Sequence, residues 1–263
     1  MTKLIYVMVI IMAFILTSCI PEDDNGEPDP DEVVTFADAG LEQCVRSEMY
    51  EEKPEDAPLY YKDVYSIATL RCGGMEIESL EGIENIKNLR EAQLGNNKIK
   101  DVTPLGKCTK LVELELDSNQ IEDASPLSRL INLTSLNISY NSISDISYVK
   151  EMVNLNSFYT GGNPISDLSP VANITSLNSL NFSNSKIFKI NAVSNLLHLK
   201  VLGMQNNNIS DINHIKSLNE LVTIDIRENC ISDFSPITYL RQNGNLTTVN
   251  GDSYEDQDYE KCE

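Results

Sequence analysis

A chain of 263 residues carrying 40 acidic against 20 basic side chains has a formal charge of −20 at neutral pH. That balance excludes a nucleic-acid partner, since no basic stripe is present to neutralise phosphates, and it favours solubility and cationic partners. The two histidines are far from forming a constellation with any nucleophile, and there is no phosphate loop, nucleophile elbow or Cys-x-x-Cys pair, so the sequence implies no enzyme activity, no cofactor and no metal.

The first element is a targeting segment. Lys3 gives a positive start, Leu4 to Leu16 run apolar, and Leu16-Thr17-Ser18-Cys19 closes the run. It is too short to favour a spanning helix and is set aside from fold reasoning. The closing motif is similar to the lipobox of bacterial lipoproteins. The resemblance implies a signal peptide over residues 1–18, cleavage before Cys19 and lipid on its sulfur, which would tether a soluble domain to a membrane.

Residues 19–33 follow as an acidic, flexible linker. Glu22, Asp23, Asp24, Glu27, Asp29, Asp31 and Glu32 stand among three prolines, a composition that cannot offset its ordering entropy. At about 3.3 Å per residue it would reach about 40 Å. Asp23-Asp24-Asn25-Gly26 fails as a calcium loop because Pro21 stands where the first ligand belongs. An acidic run behind a lipidated cysteine resembles the surface-export signal of Bacteroidetes lipoproteins, which implies surface exposure.

Residues 34–66 are expected to form a helical N-terminal cap. Leu41, Cys44, Val45 and Met49 fall on one helical stripe, with Asp38 placed to cap its N-terminus.

From residue 67 to 249 one phrase recurs. Leu89, Leu111, Leu133, Leu155, Leu177, Leu199 and Leu221 are spaced by 22 residues without slippage, a period that signals a solenoid. Alternation such as Leu114-Glu115-Leu116 reads as a short strand with one buried face, and the apolar spacing of three that follows reads as a helical or 3₁₀ return. One unit cannot bury its own apolar edge, so neighbours must stack. A column of amides, Asn97, Asn119, Asn141, Asn163, Asn207 and Asn229, is suited to satisfying the turn backbone of successive coils. A second column, Asp101, Asp123, Asp145, Asp167, Asp211 and Asp233, is suited to Asx turns. The first unit has Met75 and Ser79 at these places and the sixth has Ser185 and Lys189. A final strand is expected near Val249, and residues 250–263 form an acidic tail that should cover the last coil.

The phrase Leu111-Val112-Glu113-Leu114-Glu115-Leu116-Asp117-Ser118-Asn119-Gln120-Ile121 resembles the 22-residue leucine-rich repeat of bacterial internalins, and Phe36 to Leu41 resembles the opening of their N-terminal cap. The resemblance implies an α/β solenoid of about eight repeats, right-handed and curved, with a parallel sheet on its concave face and a protein ligand bound there.

At the outward strand positions of that face the candidate contacts are Glu91, Gln93, Glu113, Glu115, Asp117, Asn137, Tyr159, Asn181, Gln205, Asp225 and Arg227, with Tyr140 beside them. Tyr140 and Tyr159 among small polar residues make rigid anchors with adaptable hydrogen bonding. The expected function is a non-catalytic protein-binding module at the cell envelope, monomeric, with a glycan-binding surface or an envelope scaffold as the alternatives. An exported chain permits disulfides. Cys44 on the cap helix is expected to pair with Cys72 in the adjoining coil, and Cys230 with Cys262 in the tail, though sequence does not fix connectivity. Cys108 fills an apolar repeat position and is expected to be a buried free thiol.

Overall fold

The structure is a computed structural model that describes residues 28–258. The expected signal peptide, Cys19, most of the expected linker and Cys262 lie outside the described residues.

The chain opens with strand β1 (Val33–Val34), helix α1 (Ala39–Ser47), strand β2 (Leu59–Tyr60) and a short helix α2 (Tyr61–Val64). Strands β1 and β2 pair antiparallel. The fold begins before residue 34, where the linker was expected to end. A turn forms at Asp29 to Glu32, Tyr61 N–H donates to Glu32 O at 2.9 Å, and Lys62 pairs with Asp31 at 2.5 Å. The acidic composition read as a spacer misses this because the two partners, Tyr61 and Lys62, lie thirty residues away.

Helix α1 starts where Asp38 accepts from the N–H of Leu41 at 3.0 Å and buries Leu41, Cys44 and Val45. The other Asp38 oxygen accepts from the N–H groups of Glu78 and Ser79 at 2.9 and 3.3 Å. This cap residue thus serves the helix and the first coil together, at the coil where the Asp of the repeat is missing. The Cys44–Cys72 disulfide, with Cα atoms 5.6 Å apart, joins the same two elements.

Nine parallel strands then form one sheet in sequence order: β3 (Thr69–Arg71), β4 (Glu91–Gln93), β5 (Glu113–Glu115), β6 (Ser135–Asn137), β7 (Ser157–Tyr159), β8 (Ser179–Asn181), β9 (Val201–Gly203), β10 (Thr223–Asp225) and β11 (Thr248–Asn250). Leu114 aligns with Leu136, Phe158 and Leu180, and neighbours from β3 to β10 are in register with a step of 22, whereas β10 to β11 steps 25, with Ile224 opposite Val249. The central residue of strands β3 to β10 is buried and its neighbours face outward, as the two-residue period of a strand dictates. Most returns are 3₁₀ turns such as Thr103–Lys107 and Ser125–Arg129. The last return is a full helix, α3 (Ser235–Asn243), which takes up the extra residues of the eighth unit.

The amide column does what its chemistry allows. Asn141 Oδ1 accepts from Ile121 N–H at 3.0 Å, while its Nδ2 donates to Leu116 O of the preceding coil and Ile138 O of its own. Asn97, Asn119, Asn163, Asn207 and Asn229 repeat this pattern. Buried turn backbone is thereby satisfied from coil to coil. In the Asp column, each carboxylate accepts from the N–H two residues on, as in Ser125 to Asp123 at 2.8 Å. With Ser185 in the sixth coil the ladder skips a rung. Ile165 N–H turns back to Asn163 O, and the hydroxyls of Ser185 and Thr160 are buried without partners.

Candidate functional site on the parallel sheet

Outward residues of β6 to β10 and the turns that follow β5 to β9 surround one depression of about 350 Å³. Asp117, Asn137, Tyr140, Tyr159, Asn181, Gln205 and Asp225 all line it, together with Ser139, Gly161, Ser183, Asn184 and Gly203. Glu91, Gln93, Glu113 and Glu115 share the same sheet face on β4 and β5 but sit outside the depression, and Arg227 lies just beyond β10.

The floor is shaped by the absence of side chains. A Cβ on Gly203 would come within 2.5 Å of Asn181 Nδ2, so only glycine lets that amide lie across the sheet. Asn181 Oδ1 is fixed by Ser183 N–H at 2.9 Å. Asn137 is held twice, accepting from Ser139 N–H at 3.1 Å and donating to Asp117 Oδ1 at 3.1 Å. These half-buried amides are oriented before any ligand arrives.

Tyr159 stands on β7, as expected, whereas Tyr140 does not belong to a strand. It occupies the turn after β6 with φ of 55°, a left-handed conformation taken by Asn96, Ser118, Asn184, Asn206 and Glu228 at the equivalent points. A bulky residue is rare there, and backbone strain of this kind clusters at functional sites. Its ring lies against Gly162, where a Cβ would meet the ring at 2.6 Å. Gly162 itself has a φ of 74°. Tyr140 remains 62% exposed despite this packing, so its ring forms an accessible wall.

The two ends of the face differ electrostatically. At the C-terminal end Asp225 is bound by Arg227 at 2.5 and 3.0 Å, and Arg227 also reaches Gln205. Burial raises the Asp225 pKa, but the hydrogen bonds and charge of Arg227 outweigh it and hold the carboxyl below its ordinary range. At the N-terminal end Asp117 receives the single amide of Asn137.

Sequence reasoning missed Asn184 at the rim. The signal was its place next to the amide column, where the chain turns left-handed in successive coils. His198 lies 3.2 Å from Glu220 at the surface, and His214 sits in a separate 3₁₀ turn, so the histidines are not brought together. Among the described residues no group of three or more His, Cys, Asp or Glu could hold a metal ion. Cys108 is free and buried, and burial pushes its thiol up to about 12. Cys230 is disulfide-bonded; its expected partner Cys262 is outside the described residues.

Comparison with known proteins places this arrangement. The profile "Leucine Rich repeats (2 copies)" matches residues 87–129 and 131–173. A comparison with curated proteins gave no match. Among solved structures, internalin C2 of Listeria monocytogenes is 31% identical with a TM-score of 0.78, over 82% of this chain and 93% of that one. An internalin, InlF, of the same organism is 24% identical with a TM-score of 0.52, over 81% and 95% of the two chains. The ectodomain of the Arabidopsis thaliana receptor kinase GASSHO1/SCHENGEN3, solved in complex with CASPARIAN STRIP INTEGRITY FACTOR 2, is 23% identical with a TM-score of 0.59, over 66% and 22%. The last two likenesses carry the fold alone, while the first extends to sequence along nearly its whole length. With its 22-residue register, amide ladder and N-terminal cap, this chain belongs to the internalin family of leucine-rich repeat proteins.

Proposed function

We propose that the chain is a non-catalytic protein-binding module that docks its ligand on the outward face of the nine-stranded sheet. Lipid on Cys19 would hold it at the bacterial cell envelope, with the domain on the outer surface as a monomer. Leucine-rich repeats commonly recognise proteins, and the plant ectodomain named above was solved with such a partner. The observation that carries the reading is the depression itself, where two tyrosines stand among amides fixed before binding. A preformed surface loses little entropy on docking.

The test is capture by the purified chain on an array of extracellular proteins, repeated with Tyr159→Ser and Asn181→Ala. Binding that falls with both changes, while the variants keep the parent's unfolding midpoint, supports the reading. A ligand indifferent to both would overturn it. For location, protease treatment of intact cells should digest the domain while a periplasmic control survives.

One observation favours a second reading. Tyrosines beside half-buried amides and carboxylates also suit a neutral glycan, which would show as binding on a polysaccharide array with no protein ligand. A scaffold role would instead show as co-purification with envelope complexes.

A further inference from the structure

Within the protein-binding reading, on which this rests, we propose that the ligand is a basic segment that inserts an arginine or lysine side chain into the depression beside Asp117.

The charge pattern of the face carries the argument. Glu91, Glu113, Glu115 and Asp117 lie on two neighbouring coils, with Glu91 and Glu113 directly in register. Adjacent strands run about 4.8 Å apart, and like charges side by side on a sheet are destabilising. Elsewhere the chain pairs its acids across coils, as in Glu76 with Lys98 and Glu84 with Lys107. Among the described residues none of these four carboxylates has an ion-pair partner. The two arginines at outward strand positions are neutralised within the fold, Arg71 by Glu48 at 3.2 Å and Arg227 by Asp225. The repulsion is therefore left standing toward the side from which a ligand arrives.

Asp117 connects this acidic stretch to the depression. Its carboxylate lies over the backbone of Gly95, where a Cβ would come within 2.7 Å of Oδ1. It takes one amide hydrogen from Asn137, while a carboxylate can accept about four hydrogen bonds. A planar guanidinium can bind such a group through two parallel N–H donors and stack on a tyrosine face. Tyr140 and Tyr159 supply the faces from the same depression. Its volume suits one side chain, so the remainder of the basic segment would cross β4 and β5. A neutral ligand would leave the repulsion between Glu91 and Glu113 in place, and an acidic one would increase it.

The probe is a short peptide of alternating arginine and glycine, compared with its isosteric citrulline counterpart by amide NMR on the isotope-labelled chain at physiological salt. The arginine peptide should move amides of residues 113–118 and 137–140 saturably, and the citrulline peptide should bind about tenfold more weakly. Asp117→Asn should weaken the arginine peptide about fivefold or more. The combined change of Glu122 and Glu151 to Gln, at exposed positions off the strands, should leave it within about twofold because screening is short-ranged. Glu115→Gln is a second variant, at an exposed position, should Asp117→Asn disturb the fold. Equal binding of the citrulline peptide, or shifts scattered over all acidic surfaces, would overturn the proposal. The captured protein ligand separates this failure from the broader one. Loss with Tyr159→Ser but not with Asp117→Asn or Glu115→Gln would sink the cationic anchor and leave sheet-face binding standing. Indifference to all three would sink both.

Discussion

Gln257 stands to Ile231 as Asn229 stands to Ile209. The Gln257 Oε1 accepts from Ile231 N–H at 3.4 Å, as Asn229 Oδ1 accepts from Ile209 N–H at 3.1 Å. Its Nε2 donates back to Ile226 O at 3.3 Å and to Gly251 O at 2.7 Å. An amide from the tail has replaced the one a ninth full coil would have brought. Gln257→Ala removes a buried amide that bridges Ile231, Ile226 and Gly251 and should cost about 1–3 kcal/mol. Denaturant unfolding reads the cost, and hydrogen exchange should quicken at residues 226–231 first. An unchanged midpoint would mean that water serves those groups as well.

The missing rung in the sixth coil should be repairable. Asparagine in place of Ser185 can accept from Ile165 N–H, which now turns back on Asn163 O. Ser185→Asn is expected to stabilise the chain by about 1 kcal/mol, the net worth of a hydrogen bond. Thr160→Val removes a buried hydroxyl that has no partner and should be neutral or stabilising. A lowered midpoint for both would show that the gap is filled by something that needs it.

Acid should loosen the joint between cap and solenoid through Asp38. Burial raises its pKa, but the N–H groups of Glu78, Leu41, Ser79 and Gly40 outweigh this and hold it below 3.8. A carboxyl depressed in the folded state adds stability that is present above its unfolded pKa and is lost as pH falls through the folded value. Asp38→Asn should therefore be less stable than the parent at pH 6 and converge with it as the pH drops below about 3.8, the unfolded reference. Parallel pH curves for the two proteins would refute the assignment.

The Cys44–Cys72 bond closes a loop with a sequence separation of 28, for which chain entropy predicts about 3–4 kcal/mol. Replacing both cysteines with alanine should lower stability by that order. Proteolysis should then begin in the segment between α1 and β2, because helix α1 is joined there to the first coil by the bond and by Asp38.

The solenoid was legible because its two periods are written in residue types. The 22-residue step gave the register, alternation gave the strands, and the Asn and Asp columns gave the turns that Asn141 and Asp123 now demonstrate. Asp38 as the helix cap and the Cys44–Cys72 pair were legible for the same local reasons. What stayed hidden depends on contacts that no period announces. Gln257 is one amide in an acidic tail, and its role exists only once the tail folds back on Ile231. The order at Asp29 to Glu32 comes from Tyr61 and Lys62, far along the chain. Tyr140 was read as a contact residue, but its left-handed turn and its packing on Gly162 follow from backbone geometry that composition does not express.

The in-register step has a consequence for how this surface can change over time. Each amide ties its own coil to the one before it, and each strand pairs only with its immediate neighbours in the sequence of coils. The amide ladder that holds the stack is made by turn residues, whereas outward ones such as Glu115 and Tyr159, where the proposed ligand would dock, take no part in it. On the proposed reading, substituting such a residue would rewrite one line of the ligand's imprint without asking the scaffold to refold. Duplicating or deleting a whole coil lengthens or shortens the imprint by one strand. On that reading the heritable unit of specificity is the coil, and partners would be exchanged one coil at a time.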